Sequence, residues 1–415
     1  MRFRRGRCHP VAPFGAVGQA DAGVGRINRR SMGACTGEAL VRRVLVSPRV
    51  RDLKIALGNL CFQEINGVVM LARSMASCPR LAFLTALVFA LSACTTAQKP
   101  PAPAAASASA APPIDRAAFD AWLAGTRRDA ASAGISQPTL EAAFSKLEPI
   151  QRVLDLENSQ PEVKLTYAQY LARTVTDQRV AQGRELLAQY RPLLEKVSAA
   201  YGVQPQYIVA LWGVESDYGR VTGGYPVIGS LATLAYGGQR KEMFRTELID
   251  ALRILDEKDI TPEAMTGSWA GAMGQCQFLP SSFLHYAVDF SGDGRRDIWT
   301  DQADVFASIA NYLHNFEWNR NQNWGRAVSL PAGFDSNLID WKNAKPMQDW
   351  QRLGVRGADG GNLAASTIPV ALVASDGVAG PAYLVSPNFG VIMKWNRSTY
   401  FATSVGLLAD RIAGG

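Results

Sequence analysis

The segment YIVALWGVESDYG, residues 207 to 219, carries an acid inside an apolar run. Read as a helix, it sets Leu211 and Trp212 four and three positions before Glu215, on one face by the 3.6-residue period. That face should be buried, so the fold has to hold a carboxyl against its core. Burial disfavours the charged form and should raise the pKa. Gly219, one turn on, reads as the helix stop, and the carbonyl end of a helix pushes in the same direction. A carboxyl that keeps its proton near neutrality can act as a general acid toward a glycosidic oxygen. The same residue could instead be a buried Glu paired with an arginine such as Arg220 or Arg245.

Charge bears on the class of partner. The chain carries +7 overall, but residues 1 to 93 hold fourteen Lys and Arg against four acids, so the remainder is slightly acidic, at −3. A nucleic-acid partner therefore has no electrostatic support downstream. The run LAFLTALVFALSAC, residues 81 to 94, follows Arg73 and Arg80 and ends in small residues, the pattern of a secretory signal too short to span a membrane. Its ending LSAC resembles the lipobox of bacterial lipoproteins, which implies lipidation at Cys94 and a periplasmic, membrane-anchored protein. Thr95 in place of an aspartate after Cys94 resembles sorting to the outer membrane. Four of the six cysteines precede Cys94, leaving Cys276 alone in the exported chain. With no internal disulfide available, a chain of this length must be held by its apolar core.

Residues 95 to 113 are Pro, Ala and Ser and read as an extended tether. From Ile114 to about Arg191 the pattern is amphipathic helix, and helix continues from Pro205 to Asn319 with Gly and Pro punctuation. Between Ala327 and Pro387 the runs SLPAGFD, STIPVALVAS and PAYLVSP read as short strands in a small lobe. Helix returns in TYFATSVGLLADRI.

A second cluster, GSWAGAMGQCQFLPSSF, residues 267 to 283, mixes Gly, Ser and Gln with isolated aromatics. Small residues let backbone approach a ligand, while amides and hydroxyls offer hydrogen bonds, a mix suited to sugars; a close helix crossing is the other reading. The run DFSGDGRRDIWT, residues 289 to 300, puts oxygen donors at the first, third, fifth and ninth positions of an EF-hand loop with Gly294 at the sixth, but Thr300 stands at the twelfth. A metal-free Asx turn is the alternative. His285 and His314 show no zinc spacing, and neither a phosphate-binding glycine loop nor a G-x-S-x-G elbow is present.

Taken in order, ALWGVESDYG, GSLATLAYGGQRKEMFRTEL, GSWAGAMGQCQFLPSSFLHYAVDFSGDGRRDIW and DVFASIANYL resemble lytic murein transglycosylases of the membrane-bound B type, over about Phe119 to Ile412. The resemblance implies a mainly α fold: a lysozyme-like helical core, an N-terminal helical lobe and a small strand-containing lobe. The chain then divides into an extension and signal (1–93), a tether (94–113), a helical lobe (114–195), a catalytic core (196–326), a strand lobe (327–387) and a segment returning to the core (388–415). It implies cleavage of the β-1,4 bond between N-acetylmuramic acid and N-acetylglucosamine in peptidoglycan, giving 1,6-anhydromuramyl ends. Glu215 would be acid and then base, in accord with the absence of a well-placed second carboxylate; Asp217, two positions on, points away. It implies substrate contacts at Ser268, Gln277, Phe278, Tyr312 and Asn396, and a basic pair, Arg240 and Lys241, toward the stem peptide. A structural calcium site at Asp289, Ser291, Asp293, the Arg295 carbonyl and Asp304 is implied, with no cofactor needed for the chemistry and a monomer acting on glycan strands. Trp395 and Phe401 stand where the family has tyrosines, so a hydroxyl contact is expected to be lost there while stacking persists. Cys276 reads as a small buried hydrophobe or a partly accessible thiol. A water-admitting muramidase and a non-catalytic peptidoglycan-binding lipoprotein are the other functions to weigh.

Overall fold

The computed structural model describes residues 111–158 and 165–414. The apolar run 81–94, Cys94 and nearly all of the tether lie outside the described residues. Six helices come first: α1 (Arg116–Ser132), α2 (Gln137–Phe144), α3 (Gln151–Asn158), α4 (Tyr167–Thr174), α5 (Asp177–Gln189) and α6 (Arg191–Tyr201). Polar side chains start most of them. Asp115, Ser136 and Thr176 accept backbone N–H bonds at the heads of α1, α2 and α5, and Thr166 with Gln169 forms a reciprocal box on α4.

Next come α7 (Pro205–Ser216), β1 (Tyr225–Pro226), α8 (Val227–Gly237), α9 (Lys241–Asp256), β2 (Thr266–Gly267), α10 (Pro280–Tyr286) and α11 (Gln302–Asn315). The small lobe holds β3 (Gly325–Ser329), β4 (Asp340–Lys345), α12 (Met347–Arg352), β5 (Arg356–Gly357), β6 (Val370–Val373) and β7 (Ala382–Val385). The chain closes with α13 (Pro387–Trp395) and α14 (Thr399–Ala413). Among the described residues the protein is mainly α, as expected, with a small sheet lobe. None of these helices is long and apolar enough to cross a membrane.

Helix α7 is the centre of the molecule. Every residue from Tyr207 to Gly213 is buried, and α5, α6, α11 and α14 pack around it. The expected single apolar face is thus replaced by burial all round, because neighbours close on every side.

The five-stranded sheet runs β4-β6-β7-β3-β5 with antiparallel neighbours. Two of its three inner strands, β6 and β7, are buried at every position. Alternation sends Ala371, Val373, Tyr383 and Val385 into the helical core, and Val370, Leu372, Ala382 and Leu384 into a second cluster around Trp350 of α12. The indole N–H of Trp350 donates to the Val370 carbonyl at 2.8 Å, tying α12 to the sheet.

Three local expectations change. In SLPAGFD only Ser329 is strand, as the end of β3, and the rest leaves the sheet, because Pro331 has no N–H for a ladder and Gly333 takes φ +72°. Strand β4, DWKNAK, is a polar edge strand with alternating exposure, and α12 lies inside the stretch read as strands. The lobe's first strand begins at Gly325, two residues ahead of the expected boundary.

Gly406 of α14 lets the helix lie against the buried ring of Trp324, whose N–H bonds Asp410 at 2.8 Å. A Cβ at Gly406 would stand 2.1 Å from Cδ2 of that ring. Replacing Gly406 by Ala is expected to cost about 1–3 kcal/mol of stability, read as a lower denaturant midpoint at unchanged m.

Candidate active site

Glu215 occupies the penultimate position of α7. The helix stops at Ser216, earlier than Gly219, because Asp217, Tyr218 and Gly219 take φ of 51°, 61° and 80° and turn the chain away. Gly219 is required there for a second reason: a Cβ would meet Oε1 of Gln275 at 2.3 Å.

The Glu215 carboxyl accepts a 2.6 Å hydrogen bond from the indole N–H of Trp395. Burial lifts its pKa to about 8, with the indole hydrogen bond working in the opposite direction. The side chain keeps some contact with solvent, although protein crowds around it. Crowding over several ångströms governs the electrostatics, and the residual opening is what a substrate could use. Both arginines considered as partners are engaged elsewhere, Arg220 with Asp217 at 2.6 Å and Arg245 with Asp129. Asp217 is also met by Arg179 at 3.3 Å, so this second acid is held by two guanidinium groups.

The indole at Glu215 thus belongs to Trp395, 180 residues away in the chain, and not to Trp212, whose N–H bonds Gln275 at 2.8 Å. Trp395 packs on Tyr312 and Phe278, with ring centroids 4.6 and 5.2 Å apart and ring planes inclined by 59° and 46°. At Trp395 the rings meet at a tilt in place of the expected stacking. No hydroxyl is present at Trp395, and its indole N–H supplies the donor to Glu215 instead. Tyr170, near enough to feel the Glu215 charge, and Cys276 also face this region; burial is the main reason that both have raised pKa values. Cys276 is wholly buried, which settles it as a small hydrophobe.

Gln275 braces the end of α7. Its carbonyl accepts from Ser216 Oγ at 2.8 Å, its Oε1 accepts from Trp212 and Gln302, and its Nε2 donates to the Trp299 carbonyl. Neither Gln275 nor Tyr170 was singled out in the sequence; the density of Gln and Gly around 271–277 was the only local sign of the former.

Of the expected substrate residues, Phe278 and Tyr312 are brought to Trp395, and the Tyr312 hydroxyl donates to the Lys394 carbonyl at 2.8 Å. Gln277, at φ +50°, donates its amide to the carbonyls of Thr222 and Gly274. Ser268 is half-buried and accepts from the Ala272 N–H at 3.0 Å. Asn396 is exposed and receives the Ser398 N–H. Arg240 and Lys241 are exposed at the head of α9, with Arg240 over the Phe244 ring at 5.1 Å.

The loop from Asp289 to Asp304 keeps the EF-hand-like turn. Asp289 accepts the N–H groups of Gly294, Gly292 and Asp293, foremost Gly294, which hold its carboxyl below the usual range. Asp304, fully buried, accepts from Phe290, Ser291 and Asp297. Asp293 is met by Arg295 at 3.2 Å. Among the described residues no three His, Cys, Asp or Glu side chains converge as a metal site. The donors are oxygens suited to a hard cation, but in this arrangement they face backbone N–H groups.

The transglycosylase SLT domain family model matches residues 118–410. Membrane-bound lytic murein transglycosylase B of Escherichia coli strain K12 is 32% identical over 297 residues, 68% of this chain and 79% of that protein. SltB3 of Pseudomonas aeruginosa, solved in complex with NAG-anhNAM-pentapeptide, is 44% identical with a TM-score of 0.70, over 72% of this chain and 80% of that one. The Escherichia coli lytic transglycosylase Slt35, solved in complex with calcium, is 28% identical with a TM-score of 0.61, over 72% and 93%. A match over most of the described chain, joined to a helical core that sets one uncharged-leaning carboxyl beside an aromatic wall, places the protein in the lytic transglycosylase family as an enzyme of the B type.

Proposed function

We propose that this enzyme cleaves the β-1,4 bond between N-acetylmuramic acid and N-acetylglucosamine in peptidoglycan and forms 1,6-anhydromuramyl ends, with Glu215 as its single acid and base. The carrying observation is the Glu215 carboxyl, raised to about 8 by burial and bonded to Trp395 alone among charged or polar side chains of the described residues. Support for the substrate and product comes from SltB3, solved with NAG-NAM-pentapeptide and with NAG-anhNAM-pentapeptide.

Below its pKa the Glu215 carboxyl gives its proton to the glycosidic oxygen as the bond to the muramyl C1 breaks. The carboxylate left behind is stabilised by the Trp395 N–H. It then takes the proton of the muramyl C6 hydroxyl as that oxygen bonds to C1, so no water enters and Glu215 is protonated again. A nucleophilic second carboxylate is not needed, and Asp217, between Arg179 and Arg220, is poorly suited to be one.

The other site residues take supporting roles in this reading. Ser268 offers its hydroxyl hydrogen to the acetamido group, Gln277 its side-chain oxygen, and Phe278 with Tyr312 backs the Trp395 wall. Asn396, Arg240 and Lys241 are exposed where polar groups of the glycan and carboxylates of the stem peptide could meet them. Anchoring through lipid on Cys94 at the outer membrane is supported by the LSAC motif, by Thr95 and by the membrane-bound relative. Calcium at Asp289, Ser291, Asp293, the Arg295 carbonyl and Asp304 is proposed as a weak structural ligand, because Asp304 must first release three backbone N–H groups and Arg295 offsets part of the negative charge.

Glu215→Gln is expected to lower release of anhydromuropeptides from isolated sacculi by roughly 10³-fold or more, followed by mass spectrometry. Products heavier by one water would instead identify a hydrolase, and binding without release in the wild-type protein a non-catalytic role. The rate should fall as pH rises through about 8, where Glu215 loses its proton. Trp395→Phe removes a hydrogen bond that favours the carboxylate, so this alkaline limb should move to higher pH, measured as kcat/KM against pH. Calcium should raise the melting temperature only at roughly millimolar concentration, and a chelator should leave turnover of the folded enzyme unchanged.

A further inference from the structure

We infer that a small cavity at the edge of the sheet lobe is a remote subsite for one pyranose unit of the glycan strand, an inference that deepens the function proposed above. The cavity, about 160 Å³, is bounded by Trp341 and Asp340 of β4, Ser375 just after β6, and Thr399 at the head of α14. Beside the aliphatic Ile339, Leu372, Val373 and Ala374, its lining offers groups of the kind that hold sugars: an indole, a carboxylate and a pair of hydroxyls. Ser375 and Thr399 lie 3.2 Å apart, each leaving capacity for a ligand hydroxyl. Asp340 is exposed, accepting one backbone N–H from Lys342, and the Lys342 ammonium stands 5.5 Å from the Trp341 ring centroid. The β4 and β6 register shifts between Asp340 and Lys345, an irregularity of the kind that re-aims a side chain, here next to Trp341.

Two lines of contact join this cavity to Glu215. Trp341 lies against α13 at Gly390, where a Cβ would be 3.6 Å from the indole, and five residues later the same helix delivers Trp395 to the acid. Five residues of helix span about 7.5 Å. On the other side Thr399 precedes Tyr400, which meets Tyr170 edge-on at 5.6 Å, and Tyr170 senses the Glu215 charge. In this inference a glycan strand held at the acid continues to the cavity, which a fragment confined to the acid leaves empty. A contact that binds ground state and transition state equally adds affinity for long strands and leaves the chemical step alone.

The test uses the full folded enzyme and peptide-free glycan strands. In a Glu215→Gln background, Trp341→Ala should weaken binding of long strands by about five- to tenfold and leave disaccharide binding unchanged; Trp341→Phe should restore most of the loss. In the otherwise wild-type enzyme the same substitution should raise KM for long strands at unchanged kcat. Equal loss for both substrates, no loss for either, or binding that requires stem peptides would overturn the subsite. Should Trp341→Ala lower the melting temperature enough to unfold the protein, Ser375→Ala is read by the same ratio of long to short strands, a selective loss supporting the subsite and an unchanged ratio overturning it. Binding in the Glu215→Gln protein does not depend on the chemistry, so it fails or succeeds separately from the acid and base assignment.

Discussion

Keeping a carboxyl protonated close to pH 8 requires protein, not water, to surround it, while a way in for substrate stays open. Helix α7 meets the first requirement by running through the middle of the fold, packed by α5, α6, α11 and α14. It meets the second by ending one residue after Glu215, where three successive residues with positive φ carry the chain off. Gln275 keeps that end in place through four hydrogen bonds to groups on either side.

The sheet lobe is tied to this arrangement by the two-sided burial of β6 and β7. One set of their side chains belongs to the helical core and the other to the cluster around Trp350. Sheet and helices therefore share a wall, and α13 runs along it from Gly390, beside Trp341, to Trp395 on the acid. Such a wall is stiff, because interiors are packed near crystal density. An indole held between Tyr312 and Phe278 can present its N–H to Glu215 with little motion.

Much of this was legible from local pattern. Strands β6 and β7 fall within STIPVALVAS and PAYLVSP because β-branched and aliphatic runs between Gly and Pro leave few other options. Strand β4 was not legible: DWKNAK is polar, and only pairing with β6 at the sheet edge makes it a strand. The Glu215 site divides the same way. That an acid sits in an apolar helix can be read from thirteen residues, but the partner indole is 180 residues distant and has no periodic relation to it. Asp217 pointed away from Glu215 in the helical reading; that two arginines clamp it needed α5 folded against α7.

By itself the sequence determined the helical class and the small strand lobe, and it showed an acid inside an apolar run, since each follows from spacing and composition within a short window. The tertiary structure alone decided which aromatic group touches that acid, where its helix ends in relation to solvent, and how the acids of the Asp289–Asp304 loop turn. Those outcomes depend on desolvation and on hydrogen bonds between distant segments, and neither exists until the chain has closed around α7.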